Sequence, residues 1–511
     1  MKKIYLFLAL VLGLLASCDM DKTPYDALPD DEALQTPTDF ANARVGLYSG
    51  LRSSVGGSSF FCAPEIQCDG FNAVIGFSNT QGSMYQWTFT TSDSPFATVY
   101  GNYQAMIARA NYILDGIEKV DMSNENLFTD AAKAQLEIIK GEALFIRAFC
   151  IFQLSQYFCA DYEPATASQE NSGVSYRLDY APSSSASSYP ARKTLEETFT
   201  QIYTDINAAA ACLTTAGEPS SYLISADAIT ALRARVALAH HDYDIAAKAA
   251  ESLITSNTYF LADSKDALKD LWQNDGGAET ILQLAYGQQA ELPTSGSGYS
   301  IFQPYATGSN PDYIPTQALV DLYSANDYRK SVYFNVVDIN TTSGTTGRVY
   351  GFNKYIDHGG LYNRFNQYEY ARFTIEPKVF RIAEMYLIAV EAFAQSSAAD
   401  GLTKAAKYLN DLEKSRIAGY QERSFPSKDA ILAELKIERE REMVGEGTRL
   451  FDIKRWHIDM KRGTPQQEDL CLIPGATTTN MVVAADSPKL TWPIPKHETD
   501  ANGNVKQNPG Y

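Results

Sequence analysis

The pattern that most limits the fold is an apolar stripe of period 3.6 that returns in one stretch after another. From Thr194, TLEETFTQIYTDINAAAACL opens with Thr194 and Glu197 three residues apart, a capping box that satisfies two N–H groups at a helix start. Leu195, Phe199, Ile202, Ile206 and Leu213 then fall on one helical face. The stretch SADAITALRARVALAHHDYDIAAKAAESLI reads as two helices broken near His241–Asp242. Leu232, Val236 and Ala239 stripe the first, and Ile245, Ala249 and Leu253 the second. A third example, RIAEMYLIAVEAFAQSSAADGLTKAAKYLNDLEKSR, puts Ile382, Tyr386, Ala389 and Phe393 on one side. NYQAMIARANYILDGIE and AQLEIIKGEALFIRAFCIFQLSQYF have the same character.

Small residues at the facing positions let paired helices approach closely. A hairpin of this size with alanines at the contact is the unit of tetratricopeptide repeats. The expected fold class is therefore mainly α, a tetratricopeptide-repeat-like helical scaffold; a generic helical bundle is the alternative. Between the helical units lie tracts rich in Gly, Ser, Thr, Tyr and Pro, at roughly 50–100, 160–192, 285–317 and 464–490. Loops of this length in a compact protein usually carry function. Two are also aromatic: FCAPEIQCDGFNAVIGFSNTQGSMYQWTF and GYSIFQPYATGSNPDYIP. The reading is a helical scaffold that displays its chemistry on loops.

The N-terminus adds an address. Lys2 and Lys3 precede an uncharged run from Ile4 to Ala16, too short to span a bilayer and of the length of a secretory h-region. Small residues in LLASC lead to Cys18. The segment resembles a bacterial lipoprotein signal, with Cys18 as the lipid-bearing residue that holds the protein on a membrane rather than through it. An ordinary signal peptide with an incidental cysteine is the alternative. Asp19 and Asp21 fit either surface export or inner-membrane retention.

Charge and motifs exclude several classes. The formal net charge is −18, and removing residues 1–17 takes away only two positive charges. Bulk charge of that sign does not suit nucleic acid or anionic head groups. The remaining cysteines, at positions 62, 68, 150, 159, 212 and 471, form no CxxC pair and show no zinc spacing with histidine. Cys62 and Cys68 flank a short loop, where a disulfide would suit an oxidising compartment. No HExxH, Walker, GxSxG or dinucleotide motif is present, so no metal or cofactor is expected.

Three C-terminal stretches, RIAEMYLIAVEAFA, EREREMVGEGTRLFDIKRW and WPIPKHETDANGNVKQNPGY, resemble hallmarks of the SusD/RagB family of outer-membrane nutrient-binding lipoproteins. RKTLEETFTQIYTDINAAA, SADAITALRARVALAHHDYDIAAKAA and DLYSANDYRKSVYF are similar to its middle segments. In residue terms, the second of those C-terminal stretches is a helix after Ser427 that stops at Gly445 or Gly447, followed by a second helix from Thr448. Glu440, Arg441, Glu446 and Arg449 read there as a partly buried ion-pair network fixing the angle between the two helices. QNPGY reads as a tail pinned by Pro509 and Tyr511.

The resemblance implies about four tetratricopeptide-like helical pairs, with a loop-rich irregular portion and a few short strands packed on them. It divides the chain into a signal at 1–17, a tether at 18–35, an N-terminal region at 36–225 and a C-terminal region at 226–511. It implies a non-enzymatic, cell-surface protein of the outer membrane that binds oligosaccharide or another nutrient. Such a protein sits as a lid on a TonB-dependent, SusC-like transporter. The binding face so implied draws on an early and a mid-chain loop, which places Trp87 first, with Tyr85, Tyr299, Tyr305 and Tyr313 beside it. Trp272, Trp456 and Trp492 fall in contexts that read as packing. A helical-repeat interaction scaffold and a surface glycoside hydrolase, which would need two carboxylates in one cleft, are the competing readings.

Overall fold

The computed structural model describes residues 33–77, 79–183, 185–292, 302, 310–341, 344–356, 360–366, 374–472 and 481–511. Cys18, Tyr299 and Tyr305 lie outside the described residues. Long helices form the body: α1 (Pro37–Val55), α2 (Ser58–Gln67), α3 (Ser94–Lys119), α4 (Asp130–Phe158), α5 (Leu195–Cys212), α6 (Ala226–Ala239) and α7 (Tyr243–Ile254). Further along come α8 (Lys265–Gln273), α9 (Ile382–Gln395), α10 (Gly401–Arg416), α11 (Lys428–Met443) and α12 (Arg449–Arg455).

The caps read from sequence are in place. Glu197 N donates to Thr194 Oγ1 at 3.0 Å, and Thr194 N donates back to the Glu197 carboxylate at 2.8 Å. Ser427 caps α11, and Gly445 and Gly447 take φ of +80° and +75° just past its end. Such values suit a residue without Cβ, and a Cβ on Gly447 would lie 2.8 Å from Phe61 Cα. α3 packs on α4, α4 on α5, α6 on α7, α7 on α9, and α9 on both α10 and α11. The stripes of α5 and α6 are buried as expected, and so are Ala249 and Leu253 on α7. Ile245 is an exception at 43 % exposure, because α7 buries the alanine face Ala246, Ala247 and Ala250 instead.

Two corrections concern the irregular tracts. Ser58–Gln67 is helical, although FFCAPEIQ showed no stripe; its residues are buried on nearly every side, which erases amphipathic contrast. Cys62 and Cys68 are separate buried thiols, not a disulfide. The tail is pinned by Asn508, whose amide donates to Phe158 O and Trp492 O, and by Tyr511, while Pro509 is exposed.

Strands are short and pair antiparallel: β1 (Phe71–Ala73) with β3 (Tyr313–Pro315), β2 (Thr280–Gln283) with β6 (Lys378–Arg381), and β4 (Phe334–Asn340) with β5 (Thr346–Phe352). The large helical core draws on residues from Leu34 to Val505 and so on both halves of the chain. A second, aromatic core lies under the loops and includes Phe71, Tyr85, Trp272, Phe302, Tyr313, Tyr333 and Phe352. Met443 belongs to the first core and its neighbour Val444 to the second. Around that junction a buried ionic lattice ties Glu279, Arg329, Lys354, Arg381, Arg416, Glu438, Glu442 and Glu446. The DLYSANDYRKSVYF and EREREMVGEG stretches thus supply the fastening between scaffold and loop layer.

Candidate functional site

The loop layer is built to be neutral. No charged side chain occurs between Asp69 and Asp93, and none between Glu291 and Asp312. The β1–β3 ladder joins the ends of these two tracts, with Ala73 opposite Tyr313. Beyond β1 the chain turns sharply: Asn79, Gln81 and Trp87 take φ of 60°, 58° and 56°, uncommon for residues with a Cβ. Backbone strain of this kind collects at ligand-facing loops. Tyr313 Oη holds the turn by donating to Thr80 O at 2.6 Å. Phe77, half-buried, meets the Tyr313 ring edge-on with centroids 5.7 Å apart. Exposed Asn79 follows, and Gln81 Oε1 is buried with no hydrogen-bond partner among the described residues.

Beside this turn, Val74 N donates to Asp312 O and Ile75 N to Leu470 O, which fixes its position against the rest of the layer. Asn310 exchanges hydrogen bonds with Asn340, at 2.7 and 2.9 Å, and so fastens the mid-chain tract to the β4–β5 hairpin. The result is a turn without charged side chains of its own that sets the Phe77 ring beside the Asn79 and Gln81 amides. It can stack the C–H face of a neutral polyhydroxyl ring and hydrogen-bond its hydroxyls.

Of the aromatics expected from sequence, Trp87, Tyr85 and Tyr313 serve under that surface, not on it. Trp87 is 8 % exposed; its indole N–H donates to Gln67 O at 2.8 Å and its ring faces Phe89. Tyr85 is fully buried, with the Arg462 guanidinium 4.0 Å from its ring centroid. Tyr313 is fully buried as well. The physical reason is the same for all three: each ring is anchored inside by a polar partner, so burial leaves its polar tip satisfied. Phe77, Asn79 and Gln81 were passed over. Their signal was GFSNTQG, a ring and two amides between glycines in an uncharged tract.

The four residues of the C-terminal motif fall into three neighbouring ionic groups. Arg449 grips Asp69 at 2.9 and 2.6 Å and reaches Glu440 at 3.0 Å. Arg441 bridges Glu413, Glu434 and Glu438. Glu446 pairs with Lys354 and Arg381. The angle between α11 and α12 is clasped by Arg449 to Glu440 and, beside it, by Arg439 to Asp452 at 2.7 Å. Burial would raise the Glu442 carboxyl, but Arg416, Arg381 and Arg329 overcome it and hold the group well below the usual range. Burial pushes Lys354 down to about 8. Glu65, whose carboxylate accepts N–H groups from Gly445, Gly447 and Thr448, is pushed up to about 7, also by burial. These groups are committed to one another and to backbone, as structural pairs are.

Two family models match the chain: one described as the SusD family over residues 333–511, and one described as starch-binding associating with outer membrane over residues 20–238. The chain is 22 % identical over 489 residues to SusD-like protein P38 of Formosa agariphila, covering 88 % of this chain and 90 % of that one. Among solved structures it resembles a SusD superfamily protein of Bacteroides thetaiotaomicron, with a TM-score of 0.75 and 23 % identity over 93 % of this chain and 100 % of that one. Surface glycan-binding protein A of Bacteroides fluxus gives a TM-score of 0.68 at 20 % identity, over 93 % of this chain and 100 % of that one.

Proposed function

The chain belongs to the SusD/RagB family, and from that premise we propose that it is a glycan-binding lipoprotein of the outer-membrane surface, the lid of a SusC-like, TonB-dependent transporter. It binds its ligand and does not turn it over, as befits a non-catalytic family. One observation carries the ligand class: the charge-free turn that presents Phe77, Asn79 and Gln81 above Tyr313. A relative with the same fold is a surface glycan-binding protein by name. A mooring at Cys18 with residues 18–35 as tether would let the body swing over the transporter.

The test is a glycan array probed with the purified protein, followed by titration of the best ligand against Phe77→Ala and Gln81→Ala. A stacked ring contributes on the order of 1 kcal/mol, so Phe77→Ala weakens binding by roughly tenfold while the melting temperature stays within a degree or two. Full affinity in both variants would remove this turn from the site; silence across the array would remove the glycan. The lid role is tested by mild detergent extraction, where a co-expressed SusC-like transporter copurifies with the chain, and repeated isolation of the chain alone counts against it.

A further inference from the structure

Two of the five histidines, His241 and His457, meet, at one corner of the scaffold, carboxylates that lie far from them in sequence. Asp161 and Glu163 lie just past the end of α4, His241 in the break between α6 and α7, and His457 just past α12. His457 Nε2 is 3.4 Å from Asp161 Oδ2 and 3.1 Å from Glu163 Oε1. His241 Nε2 approaches the same Asp161 oxygen at 3.6 Å. The ligand atoms of Asp161, Glu163 and His457 all lie within 4.8 Å of one another.

We propose that Asp161, Glu163 and His457 form a binding site for a divalent transition-metal ion of the zinc class, with His241 facing the Asp161 carboxylate from the other side. The spacing is the first argument. At 3.4 and 3.6 Å the two imidazoles stand beyond ordinary hydrogen-bond length from the carboxylate. Ligands around a tetrahedral zinc with bonds of 2.0–2.1 Å sit about 3.3 Å apart. The second argument is satisfaction: Asp161 Oδ2 is buried and has no hydrogen-bond partner among the described residues, although two imidazole nitrogens face it. The third is local backbone. His241 and His457 hold φ of 61° and 48° directly after a helix end, where glycine is the usual solution.

The donor set of one imidazole and two carboxylates suits a borderline ion better than calcium, which takes six or more oxygens. Three protein ligands leave the remaining position of a tetrahedral ion to solvent. The cationic neighbours are engaged elsewhere: Lys454 donates to Gln156 O and Cys159 O, and Arg455 pairs with Glu391 and Asp452. His457 is 54 % exposed on its side chain, so an ion can reach the site from solvent. Once bound it would clip together the ends of α4 and α12, two separate units of the scaffold.

The experiment loads the full chain with Zn2+, removes excess by gel filtration and measures retained metal by mass spectrometry, with Ca2+ as the hard-cation control. One retained zinc per chain, undisturbed by calcium, is the expected result. His457→Gln changes an exposed side chain and keeps the fold; it should weaken zinc binding at least tenfold, and Asp161→Asn with His457→Gln should abolish it. Zinc should raise the melting temperature of the parent and not of the double variant. His497→Gln should bind as the parent does. No retained zinc in the parent, or equal retention in the double variant, overturns the proposal and leaves imidazole–carboxylate ion pairs only.

Discussion

Arg329 Nη1 donates to Glu442 Oε2 at 2.8 Å across 113 residues of sequence, and both side chains are wholly buried. The same guanidinium also holds Asp327 and Glu438, while Glu442 collects Arg381 and Arg416. Because the charges neutralise one another in a dry setting, removing one partner strands the rest. Arg329→Met should lower unfolding free energy by about 3–5 kcal/mol in urea titrations. Ligand affinity of the folded fraction should not change, since the pair lies beneath the loop layer. Arg449→Ala, at a less enclosed pair, should cost about 1–3 kcal/mol.

Trp87 offers a sharper discrimination. As a buried anchor it makes Trp87→Ala a stability variant, costing about 3–5 kcal/mol through the cavity it leaves. Trp87→Phe loses chiefly the bond to Gln67 O, worth about 1 kcal/mol. Binding measured well below the melting temperature should remain near parental in both. A stable Trp87→Ala protein with abolished binding would return the ring to the ligand surface.

Acid should stabilise this protein between pH 4.5 and 7 through Glu65. Burial raises its folded value to about 7 from 4.5, so over that window the folded state holds a proton that the unfolded state has released. The contribution is therefore complete below pH 4.5 and is lost as pH rises through 7, at most about 3 kcal/mol. Glu440, also pushed up to about 7 by burial, acts in the same direction. Melting temperatures at pH 5.5 and 8 should differ less in Glu65→Gln than in the parent. An unchanged difference would assign the slope to other groups.

Anchoring has its own test. Cys18→Ala should release the protein from the membrane fraction and end labelling by a palmitate analogue. Continued labelling of the variant would show that Cys18 is not the acylated residue.

What sequence could reveal followed the range of the interactions. The Thr194 cap and the stripe from Leu195 to Ile206 depend on neighbours within a few turns, so a helix there was legible to the residue. Gly445 and Gly447 announced a turn because their backbone needs are local. Ile245 was misplaced because alanines, weak in any apolar count, carry the buried face of α7. Trp87 was misread because its fate depends on Gln67 O, a carbonyl at the end of a helix whose uniform burial hid it. Asp161, His241 and His457 belong to three segments and share no motif spacing, so only the folded chain brings them together.

Trp492 sits at zero exposure among Phe96, Tyr157 and Phe158, and Asn508 bonds Arg192 as well as Phe158 O. The native centre of the N-terminal helices is thus completed by side chains from far downstream in the chain. Synthesis must pass Trp492 and Asn508 before that centre can close, and until then the faces of α3 and α4 that await Trp492 stay open to solvent or to a chaperone. A ribosome-bound chain truncated before Trp492 would therefore be protease-sensitive along α3 and α4, however well those helices form on their own.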